Sequence, residues 1–152
     1  MPGKQGGYLI LKIRLLNGRL FNHRLSKHPD ALYTAEQGKI LSALWANEPQ
    51  SAKELSKVTG LATSSLSLML KRLEDQGLIV SKTSFEDKRR KDYCVTPQGA
   101  QQQAVGDAVS REVSSVFYQG FSKQEIREFE GYLERILQNL ERELGDDKRE
   151  KP

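Results

Sequence analysis

Cysteine is nearly absent: Cys94 stands alone in 152 residues, which excludes a disulfide within the chain and points to a reducing compartment, the cytoplasm. Histidine is almost as scarce. His23 and His28 lie five apart with no cysteine or acidic cluster beside them, so no metal is expected. Long apolar runs are missing too, and no window approaches the ~18 to 20 apolar residues of a membrane span. The one apolar stretch near the start, "MPGKQGGYLILKIRLL", is broken by Lys12 and Arg14, and no small-residue cleavage site follows it, so neither a signal peptide nor a membrane partner is expected. There is no Ser-His-Asp set, no pair of catalytic carboxylates and no glycine-rich phosphate loop. These absences argue against an enzyme and against a cofactor.

What remains is a soluble, helix-rich composition, 37% hydrophobic and 29% charged, at a length that suits one domain. The net charge of +4 is unevenly spread. Residues 1–50 carry seven cations and three anions, and residues 51–95 carry nine and six. Residues 96–121 carry one cation and two anions, and residues 122–152 carry seven and nine. The basic excess therefore sits in the first two thirds, where it permits an anionic partner without proving one.

Helical periodicity dominates the chain. Leu9, Ile13, Leu16 and Leu20 form a stripe that Pro29 ends. Thr34 and Gln37 then form a capping box for a helix with Ile40, Leu41, Leu44 and Trp45 on its apolar side. Ser51 and Glu54 repeat that box for a short helix expected to bury Leu55 and Val58, closed by Gly60. Thr63 or Ser64 can cap the next helix, in which Leu66, Met69, Leu70 and Leu73 fall on one face. Gly77 and Leu78 have the positions of a Schellman stop. Two helices joined by a glycine turn read as a helix-turn-helix. The outer face of the second carries Ser64, Ser65, Leu68, Lys71, Arg72 and Asp75. On this helix alone, a solvated amphipathic surface and a groove-reading surface both remain open.

The next stretch, "SFEDKRRKDYCVT", packs Lys88, Arg89, Arg90 and Lys91 between two aspartates. It could be a disordered basic patch, a targeting signal or the tip of a ribbon. Its flanks decide, because "LIVSKTS" and "KDYCV" are β-rich and Thr96–Pro97 starts another helix. A hairpin attached to a helix-turn-helix is a winged helix. The helix after it carries Val105, Val109, Val113, Val116 and Phe117. A last helix opens at Ser122 with Glu125, a capping box stapled by Phe121 and Ile126. Its stripe of Phe129, Leu133, Ile136, Leu140 and Leu144 is longer than a small winged domain covers, which points to a symmetric dimer.

With these elements in place, the sequence resembles the MarR family of bacterial transcription regulators from about residue 8 to residue 142. "DKRRKDYCVTPQG" is similar to the family's wing, and "SSLSLMLKRLEDQGLI" to its recognition helix. The resemblance implies a mainly α fold with a small β-hairpin wing, as a single domain over 1–152. Residues 34–96 would form the winged helix-turn-helix part, 8–28 and 97–144 dimerisation helices, and 145–152 a frayed tail. It also implies a homodimer that binds palindromic double-stranded DNA, a repressor role, and release by a small amphipathic or phenolic effector. Carried over by position, Ser51, Thr63, Ser64, Ser65, Ser67, Leu68, Lys71 and Arg72 fall on the DNA-facing surface. Arg89 falls at the wing arginine of a minor groove, Asp87 at the acid that fixes it, and Lys88, Arg90 and Lys91 alongside. Leu9, Ile13, Leu16, Phe129, Leu133, Ile136 and Leu140 would line the dimer interface, and Phe21, His23, Tyr33 and Trp45 an effector pocket. Leu68 departs from the family, which often places Arg or Asn there. A leucine packs at most on a thymine methyl. Cys94 lies on the second wing strand, away from the first helix where peroxide-sensing members keep their cysteine. The competing reading is a winged-helix module that docks another protein, and it would bind with little dependence on salt.

Overall fold

The computed structural model describes residues 3–150. It divides into two compact units, one ending at Val113 and one beginning at Ser114. The first contains helices α1 (Gly6–Lys27), α2 (Ala35–Ala46), α3 (Ala52–Thr59) and α4 (Thr63–Asp75), strands β1 (Gln50–Ser51), β2 (Ile79–Thr83) and β3 (Lys91–Val95), and most of α5 (Pro97–Phe117). The mainly helical fold with a β-hairpin wing follows the sequence expectation.

Local chemistry sets most of the boundaries. Thr34 and Gln37 make both halves of their capping box, as do Ser51 and Glu54, so α2 and α3 start with their first amides satisfied. Helix α4 ends in a Schellman stop: the Leu78 amide donates to the Leu73 carbonyl and the Gly77 amide to Glu74, with Gly77 at φ 76°. Thr96 Oγ1 accepts the Gly99 amide, capping α5, and donates to the Gly77 carbonyl, which ties the two helix ends together. Gly99 itself has no substitute, because a Cβ there would run into the Leu78 carbonyl.

The core gathers Ile40, Leu41 and Leu44 of α2, Leu55 of α3, Leu66, Leu70 and Leu73 of α4, and Val109 of α5. Burying each such side chain contributes roughly 1.5–3 kcal/mol before the entropy cost of ordering it. Val58 corrects the sequence reading: α3 spans only eight residues and sinks one apolar side chain, Leu55, leaving Val58 65% exposed. Strand β1 has no periodicity to announce it. It pairs antiparallel with β3, Gln50 opposite Tyr93 and Ser51 opposite Asp92, giving the sheet order β1-β3-β2. Buried Gln50 reaches back to accept this place, its Nε2 donating to the carbonyls of Ala43 and Asn47.

The second unit holds the end of α5 and helix α6 (Lys123–Glu150). Ser122 and Glu125 make the expected capping box. Phe117, Tyr118, Phe121 and Phe129 pack edge-on or tilted at the turn, with centroid separations of 4.8 to 6.4 Å. Helix α6 continues past Leu144, where the sequence pattern ends, to Glu150; Lys151 and Pro152 of the expected tail lie outside the described residues.

Candidate nucleic-acid interface

Helix α4 presents a sharply divided surface. Leu66, Leu70 and Leu73 are buried on one side, while Thr63, Ser64, Ser65, Ser67, Leu68, Lys71 and Arg72 are exposed on the other. The cap differs from the sequence reading. The N-cap is Ala62, whose carbonyl accepts the Leu66 amide, and neither Thr63 nor Ser64 caps the helix with its side chain. Because Thr63 is already the first helical residue, its hydroxyl and that of Ser64 stay at an amino end that favours an anion. Leu68, 53% exposed, sits among these small hydroxyls as the one large apolar group.

The wing is an ordered turn. Ser84, buried at the end of β2, accepts the amides of Glu86 and Asp87 on its Oγ. The Ser84 amide donates to the Arg90 carbonyl and the Arg90 amide to the Asp87 carbonyl, closing the loop. Asp87 Oδ1 accepts both the backbone amide of Arg89, at 3.0 Å, and its Nε, at 3.3 Å. This holds the base of the Arg89 side chain while 92% of that side chain stays exposed. Lys88 and Lys91 are exposed beside it.

Two predicted contacts are placed elsewhere. Ser51 is only 6% exposed and its hydroxyl is committed to the Glu54 amide, so capping draws it off the outer surface. Arg90 turns away from the tip: its Nη2 lies 2.6 Å from Glu54 Oε1 and its Nε 2.9 Å from Asp92 Oδ1. These acids raise the guanidinium pKa, the Asp92 hydrogen bond first, while the Ser51 hydrogen bonds lead the lowering of Glu54. The pairing spans 36 residues of sequence, so no local pattern reveals it.

Phe21, Tyr33 and Trp45 come together around a cavity of about 260 Å³, joined by Ser42, Gly106 and Asp107. Tyr33 and Trp45 meet edge to face at 5.9 Å, and the Trp45 indole N–H donates to the Gly99 carbonyl. Burial, then the charge of Asp107, pushes the Tyr33 phenol pKa up. His23 is not part of this lining; it is exposed on α1, where its carbonyl accepts the Ser26 hydroxyl. Burial and Glu48 raise the pKa of the Cys94 thiol, disfavouring the thiolate that redox chemistry needs. Among the described residues there is no cluster of three metal-ligating side chains and no helix long and apolar enough to cross a membrane.

These elements define a winged helix-turn-helix protein. The MarR family model matches residues 33–91, from the Tyr33 end of the cavity to the wing. The organic hydroperoxide resistance transcriptional regulator of Bacillus subtilis (strain 168) is 39% identical over 67 residues, 44% of this chain and 46% of that protein, so the match spans about half of the curated relative. Wild-type apo MarR from E. coli superposes at a TM-score of 0.80 with 25% identity, covering 90% of this chain and 99% of that one. A mutant MarR from E. coli complexed with operator DNA gives a TM-score of 0.67 with 27% identity, over 86% and 92% of the two chains. Over residues 33–91 the chain is similar to the MarR family of transcriptional regulators, and its fold is that of the solved MarR structures.

Proposed function

We propose that this chain is a cytoplasmic, homodimeric, DNA-binding repressor that reads a palindromic operator and is released by a small amphipathic or phenolic effector. The observation that carries this reading is Arg89, 92% exposed at the tip of an ordered wing and held at its base by Asp87. An arginine presented this way suits the narrow, strongly negative minor groove of A·T-rich DNA. Helix α4 would enter the adjacent major groove amino end first. Thr63, Ser64, Ser65 and Ser67 would meet bases or phosphates there, and Lys71, Arg72, Lys88 and Lys91 would sit over the backbone. Leu68 would pack on a thymine methyl.

Dimerisation would use residues 8–28 and 97–144. Leu9, Ile13 and Leu16 are 42–52% exposed, Ile136 and Leu140 are 42% and 56% exposed, and Phe129 and Leu133 are half-buried, leaving apolar stripes for a second copy to cover. Two recognition helices must then lie ~34 Å apart to meet successive major grooves. The cavity at Phe21, Tyr33 and Trp45 lies under α2, so an amphipathic ligand there would favour a dimer whose helices miss that spacing.

The test is binding to a palindrome selected from a random duplex pool, followed by fluorescence anisotropy across a salt series. Arg89→Ala should weaken binding about tenfold and reduce the salt slope by ~1. Affinity and slope both unchanged would remove the wing from the interface. Exposed Leu68 favours a second reading, docking of a protein partner; that reading predicts binding that hardly changes with salt.

A further inference from the structure

Three features lie outside the α4 surface and the wing tip: the fully exposed ring of Phe85, the glutamine network joining Gln37, Gln76 and Gln102 to the Asp30–Leu32 segment, and the Arg90 cluster. Of these, the Arg90 cluster links two elements 36 residues apart in sequence beside the wing. Strand β1 supports β3 only as far as Ser51 opposite Asp92. From Lys91 outward, β3 has β2 as its sheet neighbour, paired to the end at Thr83 opposite Lys91. A cleft of about 450 Å³, lined by Ala52, Lys53, Arg90, Lys91 and Tyr93, separates the outer ribbon from the start of α3. Arg90 spans it with two edges of its guanidinium occupied, Nε on Asp92 of β3 and Nη2 on Glu54 of α3.

We infer that Arg90 is a positioning residue, a strut that fixes the wing against α3 so that its neighbour Arg89 is presented outward before DNA arrives. The backbone of the same residue closes the tip, its carbonyl accepting Ser84 N–H and its amide donating to Asp87. One residue therefore both closes the loop and ties it to α3. Glu54 is well suited as the anchor, since the same Oε1 that receives Arg90 also accepts the Ser51 amide at 3.1 Å and is fixed by the capping box. An isolated surface ion pair contributes little to stability, so the strut acts on the wing's freedom rather than on folding. A wing ordered beforehand spares binding that ordering cost. The strut also offsets one of the two negative charges of Glu54 and Asp92 beside the wing.

This inference rests on the DNA-binding reading, and its test separates the two. Glu54→Gln keeps an amide oxygen for the cap but removes the charged anchor. Arg90→Ala should weaken binding to the selected duplex about fivefold in the wild-type background and add little in the Glu54→Gln background, the signature of two residues acting as one. Arg90→Lys keeps the charge but cannot fork, so it should preserve the salt slope while leaving most of the affinity loss. In the free protein, amide exchange across Ser84–Lys91 should quicken in Glu54→Gln, with the thermal midpoint little changed. Full rescue by lysine, an equal loss from Arg90→Ala in both backgrounds, or exchange unaltered in Glu54→Gln would each overturn the strut. If the wild-type protein binds no duplex, the DNA reading falls, and the exchange measurement alone decides whether Arg90 holds the wing.

Discussion

The winged part and the terminal helices treat their leucines in opposite ways. In α2, α3 and α4 the large apolar residues on the inner side, such as Leu41, Leu44, Leu55 and Leu73, are fully buried. In α1 the run from Tyr8 to Leu16 is exposed at nearly every apolar position, and in α6 Ile136, Leu137, Leu140 and Leu144 are 42–58% exposed. Both regions are mainly helical, so secondary structure alone does not explain the contrast. The winged part satisfies its apolar surface within one chain. The terminal helices leave a long exposed apolar stripe, an aggregation liability that the proposed second copy would cover. On that proposal, stability in the first region would be a property of the fold, and in the second it would depend on the concentration of partner.

Substitutions on either side should break differently. Leu44→Ala removes a fully buried side chain at the centre of the winged core and should cost about 2–5 kcal/mol, lowering the thermal midpoint by the same amount at all protein concentrations. A midpoint shift of less than a degree or two would mean that this core is not what holds the unit together. The double substitution Leu137→Glu with Leu140→Glu should leave the winged core folded, by near-native circular dichroism, yet convert the species in sedimentation from dimer to monomer. Operator affinity should fall with it, since a single winged unit reaches one half-site. A double variant that stays dimeric would show that the α6 stripe is covered in some other way.

The same contrast explains what could be read from the residues beforehand. Capping boxes at Thr34, Ser51 and Ser122 and the Gly77–Leu78 stop were legible because each depends on residues within a few positions of one another. The burial of Leu66, Leu70 and Leu73 followed from the helical period. Long-range pairings left no such trace. Strand β1 is two residues long and exists only because β3 returns alongside it. Ser51 could have faced outward by pattern, and the cap turned it in. Arg90 and Arg89 are identical side chains one position apart, yet Asp92 together with the Glu54 that α3 brings alongside draws Arg90 in and leaves Arg89 at the tip. His23 lies two residues from Phe21 on α1, and such neighbours face different sides of a helix, so it is not among the residues lining the cavity.

The smallest expected effect lies where the second unit has a modest core of its own. Tyr118 donates its hydroxyl to Glu130 at 2.6 Å, and this hydrogen bond is the main reason that its phenol pKa is pushed up to about 12. The sign follows from which form is held: the neutral phenol donates, and the phenolate would face a carboxylate. The bond's contribution is therefore fully present below the ordinary phenol value of about 10 and is lost as the pH rises through about 12. In an ultraviolet titration, Tyr118 should ionise only near pH 12, and Glu130→Gln should bring it back toward the ordinary phenol range. Because the pair lies at the surface, the change in thermal midpoint at neutral pH should be slight. A large loss of stability on Glu130→Gln would mean that the aromatic turn at Phe117, Tyr118 and Phe129 anchors α6 far more firmly than its exposed stripe suggests. The second unit would then hold its shape without a partner, and the contrast between the two regions would narrow.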